Sequence, residues 1–174
     1  MLLFLAICFA GAKGWCQQIV TSTPSPLQEN SENVVITFHA DQGNKGLMGL
    51  TASTPVYAHA GVITNLSDGN WKYAPAWLDN SPKYQLTYVS ANTWELNIGD
   101  IRTYYGITDP NETVEKLAFV FRNATGSKEG KTATGGDIFL DVLPQGYQLQ
   151  FTSDAPLLLN SQTATVNFSA STTS

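Results

Sequence analysis

The chain has 174 residues, a formal net charge of −5, 43% hydrophobic residues and 13% charged ones. That length holds one ordinary domain plus a fragment, and is short for a doubly wound nucleotide-binding enzyme or a barrel hydrolase. Nine Lys and Arg against fourteen Asp and Glu make no basic patch, which argues against nucleic acid as a partner, and a supply of seven Tyr, eight Phe and four Trp among polar turn formers favours strands over helices.

Residues 1–12 (MLLFLAICFAGA) are apolar, too short to span a bilayer and suited to the core of a signal peptide. Gly14 and Cys16 are small residues placed for a cut before Gln17, with a cut after Ala12 as a second option. Cys16 also raises lipid anchoring, although Lys13, Gly14 and Trp15 do not build the usual Leu-x-small-Cys box. Removing residues 1–16 takes away both cysteines and Lys13, leaving eight positive and fourteen negative groups, a net −6. The mature chain is therefore expected to lack disulfides, to carry no transmembrane segment and to be secreted or held at the cell surface.

Residues 21–33 (TSTPSPLQENSEN) read as a leader into the first strand, Val34–Ala40, which alternates in the strand manner. Gly43, Gly46 and Gly49 mark a loop. Further strands are predicted at Val56–Ile63, Lys83–Ser90, Thr93–Ile98, Lys116–Arg122 and Asp137–Val142, with a short one at Trp71–Tyr73. Turn signals such as Ser67-Asp68-Gly69-Asn70 and Asn80-Ser81-Pro82 separate them. Asp100–Tyr105, closed by Gly106, is the one predicted helical turn. About seven short strands spaced this way predict an all-β fold, a β-sandwich over residues 17–143.

Residues 144–174 contain an internal echo. Pro26-Leu27, Asn30-Ser31, Ile36, Phe38 and Ala40 return 130 positions later as Pro156-Leu157, Asn160-Ser161, Val166, Phe168 and Ala170. This reads as the truncated start of a second, similar sandwich, with Tyr147–Phe151 and Ala164–Ser169 as its first strands. Chance likeness between two Pro-, Asn- and Ser-rich stretches is the alternative. Under the repeat reading the chain belongs to a longer polypeptide, since two or three strands bury too little surface to fold alone.

The sequence offers little catalytic chemistry. His39 and His59 are the only histidines, the mature chain has no thiol, and there is no Gly-x-Ser-x-Gly elbow or phosphate loop. Two histidines on separate strands fall short of a zinc site, and the turn aspartates form no distinguished acid/base pair. No catalytic residue, metal or cofactor is therefore expected in this stretch.

Val56–Asn80 is the informative segment. Tyr57 and His59 lie two apart, so on a strand they share a face, opposite Val56, Ala58 and Ala60. Trp71, Tyr73 and Trp77 follow a polar turn, giving five rings within 21 residues beside Asp68, Asn70, Lys72, Asp79 and Asn80. Rings flanked by amides and charges suit sugars. The C–H face of a pyranose stacks on a ring at roughly one to two kcal/mol per ring, while its hydroxyls demand polar partners. Trp94, alternating with Leu96 and Ile98, is expected in the core instead.

Val56-Tyr57-Ala58-His59, with Trp71 twelve residues after His59 and then Pro75, resembles the starch-binding modules of carbohydrate-binding module families 25 and 26. The longer run through TFHADQGNKGL, VYAHAGVI, WKYAPAW, LAFVFRN and DIFLDV is similar to N-terminal modules of secreted amylase-family proteins from gut-type Bacteroidetes, over about residues 20–143. The resemblance implies an immunoglobulin-like sandwich whose rings, at the positions of Tyr57, His59 and Trp71, cradle α-glucan. Tyr73 and Trp77 join as neighbouring rings. Asn123 and Lys128 join from the polar loop after Phe121, which here is charged and lacks the Trp-Asp often found in the family. The expected function is non-catalytic binding of α-glucan, with an α-amylase-type catalytic domain elsewhere in the polypeptide. The alternative is a structural immunoglobulin-like spacer or adhesion module without a sugar site. A binding module needs Tyr57, His59 and Trp71 on one exposed patch; a spacer buries or scatters them.

Overall fold

A computed structural model describes residues 18–144. The predicted signal segment, Cys16 and the echo strands Tyr147–Phe151 and Ala164–Ser169 lie outside the described residues. Among the described residues eight strands form: β1 (Val20–Thr23), β2 (Val34–His39), β3 (Val56–Thr64), β4 (Thr87–Ser90), β5 (Thr93–Gly99), β6 (Val114–Asn123), β7 (Glu129–Gly130) and β8 (Ile138–Asp141), with one helical turn, α1 (Ile101–Tyr105), between β5 and β6. They build two antiparallel sheets, one in the order β1-β2-β5-β4 and one centred on β6, with β3 on one side and β7 and β8 on the other. The fold is an all-β sandwich.

Strand alternation makes the core. Val34, Ile36 and Phe38 of β2 and Trp94, Leu96 and Ile98 of β5 point inward from the first sheet. Val56, Ala58, Ala60 and Val62 of β3 meet them from the second, with Leu117, Phe119 and Phe121 of β6. Phe38 and Phe121 stack across the interface with centroids 4.0 Å apart, and Phe119 stacks on Phe121 at 5.5 Å. Each such side chain contributes about 1.5–3 kcal/mol by leaving water. Trp94 is 1% exposed, as its alternation with Leu96 and Ile98 predicts.

Four local expectations change. Residues 21–33 are not wholly a leader: Val20–Thr23 pairs with β2, Val20 opposite Phe38, because the β-branched run there finds an open strand edge before Pro24 breaks it. Trp71–Tyr73 forms no strand. Only Lys72 bridges to Val62, and Tyr73 at φ 59° turns the chain away. The stretch predicted as Lys83–Ser90 is split into a 3-10 turn at Pro82–Tyr84 and the short β4. The last predicted strand, Asp137–Val142, forms as β8, but the polar loop before it ends in a short strand that was not predicted: β7 pairs ahead of β8 along the same edge of β6, and residues 131–137 loop out between them. The helical turn forms where predicted. Asp100 Oδ1 accepts the Thr103 amide at 2.6 Å, and Gly106 at φ 72° ends it.

Candidate functional site

The site sits on the outer face of the second sheet. There the register pairs Tyr57 with Arg122, His59 with Val120 and Gly61 with Ala118, all turned away from the core. Gly61 and Ala118 leave a trough. A Cβ at Gly61 would lie 2.9 Å from the Lys72 carbonyl oxygen and 3.1 Å from Trp71 Cε3, so the 71–74 segment rests directly on the sheet. Reciprocal backbone bonds between Val62 and Lys72, at 3.0 and 2.9 Å, fix that segment to the edge of β3.

Two polar anchors set the rest of the loop. Glu112, 2% exposed, accepts hydrogen bonds from Thr64 Oγ1 at 2.7 Å and Tyr73 Oη at 2.7 Å, and pairs with the Lys72 ammonium. The Lys72 hydrogen bond, then those of Thr64 and Tyr73, hold the Glu112 carboxyl down at about 2 and keep it charged. The same contact raises the Lys72 and Tyr73 pKa values. Arg122, 1% exposed, donates to the Asp79 carbonyl and to Asn80 Oδ1, each at 2.8 Å. Its guanidinium also lies 5.3 Å from the centroid of Tyr57 and 5.9 Å from that of Trp77.

These anchors bring three rings together. His59 stacks on Trp71 with centroids 5.5 Å apart at 22° and meets Trp77 edge-on at 5.0 Å and 68°. The two indole planes therefore differ by at least the 46° between those angles, so the surface is bent, not flat. A cleft of about 320 Å³ opens between His59, Trp71, Ala74, Trp77 and Val120, with Lys131 and Asp137 on its far wall. Lys131 and Asp137 arrive there because the strand breaks between β7 and β8. Burial, then the nearby Arg122 cation, lowers the His59 pKa, while Asp137 opposes the shift. His59 is thus neutral at pH 7, and its Nδ1 is buried with no hydrogen-bond partner among the described residues.

The structure divides the predicted residues. It brings His59, Trp71 and Trp77 together at one open surface. Tyr57 shares their face of the sheet but is 8% exposed, which corrects its expected place on the open patch: Arg122 lies over its ring, and its backbone bridges to Gln85. Tyr73 keeps a 38% exposed ring but lies outside the cleft lining, its hydroxyl committed to Glu112. Asn123 and Lys128 also lie outside that lining. Asn123 Oδ1 accepts the Lys128 amide at 3.1 Å and its Nδ2 donates to Ser127 at 3.0 Å, so the amide organises its own turn. That turn supports the platform from behind. Asn80 Nδ2 donates to the Ala124 carbonyl at 3.1 Å, and a Cβ on Gly126 would lie 2.9 Å from Trp77 Nε1.

Lys131, Asp137 and Phe139 were not anticipated. For Asp137 and Phe139 the signal was present in DIFLDV, where Asp137, Phe139 and Asp141 share one parity and Ile138, Leu140 and Val142 the other; Lys131 had none. A ring between two acids on the polar parity marks an outward face. Among the described residues, no group of three or more His, Cys, Asp or Glu is arranged to hold a metal ion, and no helix is long and apolar enough to cross a membrane. No protein-family model matches the chain, and a search of curated proteins finds no match.

Proposed function

We propose that this domain binds α-glucan without cleaving it, as an immunoglobulin-like module of a secreted or cell-surface starch-handling protein whose other domains include an amylase-type enzyme. The observation that carries the reading is the bent cluster of His59, Trp71 and Trp77, half-open on an otherwise ordinary sheet face and faced by Lys131 and Asp137. Two inclined indoles suit a curved chain of glucose units better than a flat ribbon. The apolar C–H faces shed water against the rings while the hydroxyls reach the ammonium and carboxylate across the cleft. A neutral imidazole at the floor suits an uncharged ligand. Burial of the anchoring groups Glu112 and Arg122 supports pre-organisation, which lowers the ordering cost of binding. Stacking on two or three rings gives an affinity between about micromolar and millimolar. Tethering would then raise the local concentration of a linked catalytic domain on starch.

Affinity electrophoresis of the full chain through soluble starch tests this. Retarded wild-type protein and unretarded Trp71→Ala protein that still melts cooperatively are expected. Unretarded wild-type protein would leave the spacer reading in its place, and equal retardation of the two would move the site elsewhere.

A further inference from the structure

The strip of rings does not end at Trp71. The register that places Ala118 opposite Gly61 also places Phe139 opposite Ala118, so Phe139 stands on the same outer face one strand further along. Its ring meets Trp71 edge-on with centroids 6.4 Å apart, a step similar to the 5.0 and 5.5 Å separations within the cluster. Phe139 is 48% exposed. Beyond it a groove of about 300 Å³ runs between the start of β1 and β8, with Ile19 and Leu140 in its wall and Gln18 and Asp141 supplying polar groups. Phe139 thus lines this groove and, through its contact with Trp71, adjoins the cleft at His59.

We propose that Phe139 and the groove beside it form an additional glucose-binding subsite, so that a longer α-glucan runs from the His59 cleft across Trp71 and Phe139 toward Gln18 and Asp141. This rests on the α-glucan reading and extends it from a single cleft to a track that discriminates by chain length. The physical case parallels the cleft: there rings share a hollow with an ammonium and a carboxylate, and here the Phe139 ring shares one with the Gln18 amide and the Asp141 carboxylate. Asp141 Oδ1 pairs with Lys116 at 2.6 Å while the residue stays exposed beside the groove. A Phe that served only to prop Trp71 would need its edge covered there and nothing beyond; here the remainder of the ring faces a hollow of its own.

Chain length separates the two roles. Binding of maltotriose and of maltoheptaose to the full chain, wild type and Phe139→Ala, is measured by titration calorimetry, with indole fluorescence as a check that Trp71 keeps its environment. The expected result is a loss of about tenfold in maltoheptaose affinity, the worth of one stacked ring, with maltotriose affinity kept within about twofold. Equal losses for both sugars would make Phe139 a prop for Trp71 and overturn the subsite. No loss for either would overturn it as well. Wild-type protein that binds neither sugar would instead remove the α-glucan reading itself, and the subsite with it.

Discussion

Gly61→Ala isolates the placement of the site from the chemistry of its rings. The substitution adds one methyl on the outer face, where the nearest atoms are the Lys72 carbonyl oxygen at 2.9 Å, Trp71 Cε3 at 3.1 Å and Ala74 Cβ at 3.2 Å. The first two belong to a backbone group and a packed indole, so the 71–74 segment must lift. Overpacking of this kind costs about 1–3 kcal/mol, and stretching the reciprocal Val62–Lys72 backbone bonds adds about 1 kcal/mol. Against this, Gly→Ala restricts the unfolded chain and returns about 0.4–1 kcal/mol. The overpacking wins, leaving a net loss of about 1–3 kcal/mol and a fall in Tm of roughly 3–15 °C for a domain of this size. Starch retardation should weaken as well, although every ring remains in the sequence. Differential scanning fluorimetry and the starch gel read the two effects. Gly136→Ala is the milder comparison: its methyl would meet a side-chain hydroxyl, that of Thr132 at 3.3 Å, and its Tm should fall by less than that of Gly61→Ala. A Gly61→Ala protein with wild-type Tm and wild-type retardation would refute the close seating of this segment on the sheet.

Other outcomes follow from the same contacts. Glu112 has a folded pKa of about 2 against an ordinary value of 4.5, so its contribution to stability is complete above about pH 4.5 and is lost as pH falls toward 2. Urea melts of wild type and Glu112→Gln across that window should converge at the acid end; a constant gap would contradict the pairing with Lys72. The His59 pKa lies below 6.5 because burial and Arg122 disfavour its cation, so an NMR titration should place its midpoint below that value. Starch retardation should be flat above neutral pH and fall in acid solution, as a second cation appears beside Arg122. A midpoint above 6.5 would show that the carboxylate of Asp137 outweighs burial. Phe121→Ala removes a fully buried ring stacked on Phe38 and Phe119 and should cost about 3–5 kcal/mol in urea denaturation. A cost below about 1 kcal/mol would mean that the two sheets do not meet there.

The sequence carried the strands and the sidedness of most of them, because alternation is a local property. Val34–His39, Thr93–Gly99 and Val56–Thr64 all place the expected parity inward, and the Asp100 cap and Gly106 stop mark α1 without reference to anything distant. Parity also put Tyr57 and His59 on one face. Which rings on that face stay open was decided elsewhere in the chain. Arg122, 65 residues from Tyr57, covers it; Glu112 draws Tyr73 out of the cluster; and the pairing of β8 with β6 brings Phe139 up to Trp71. Periodicity along a strand fixes the direction of a side chain, whereas exposure depends on what long-range pairing lays over it, and that is settled only when the sheets and loops have come together.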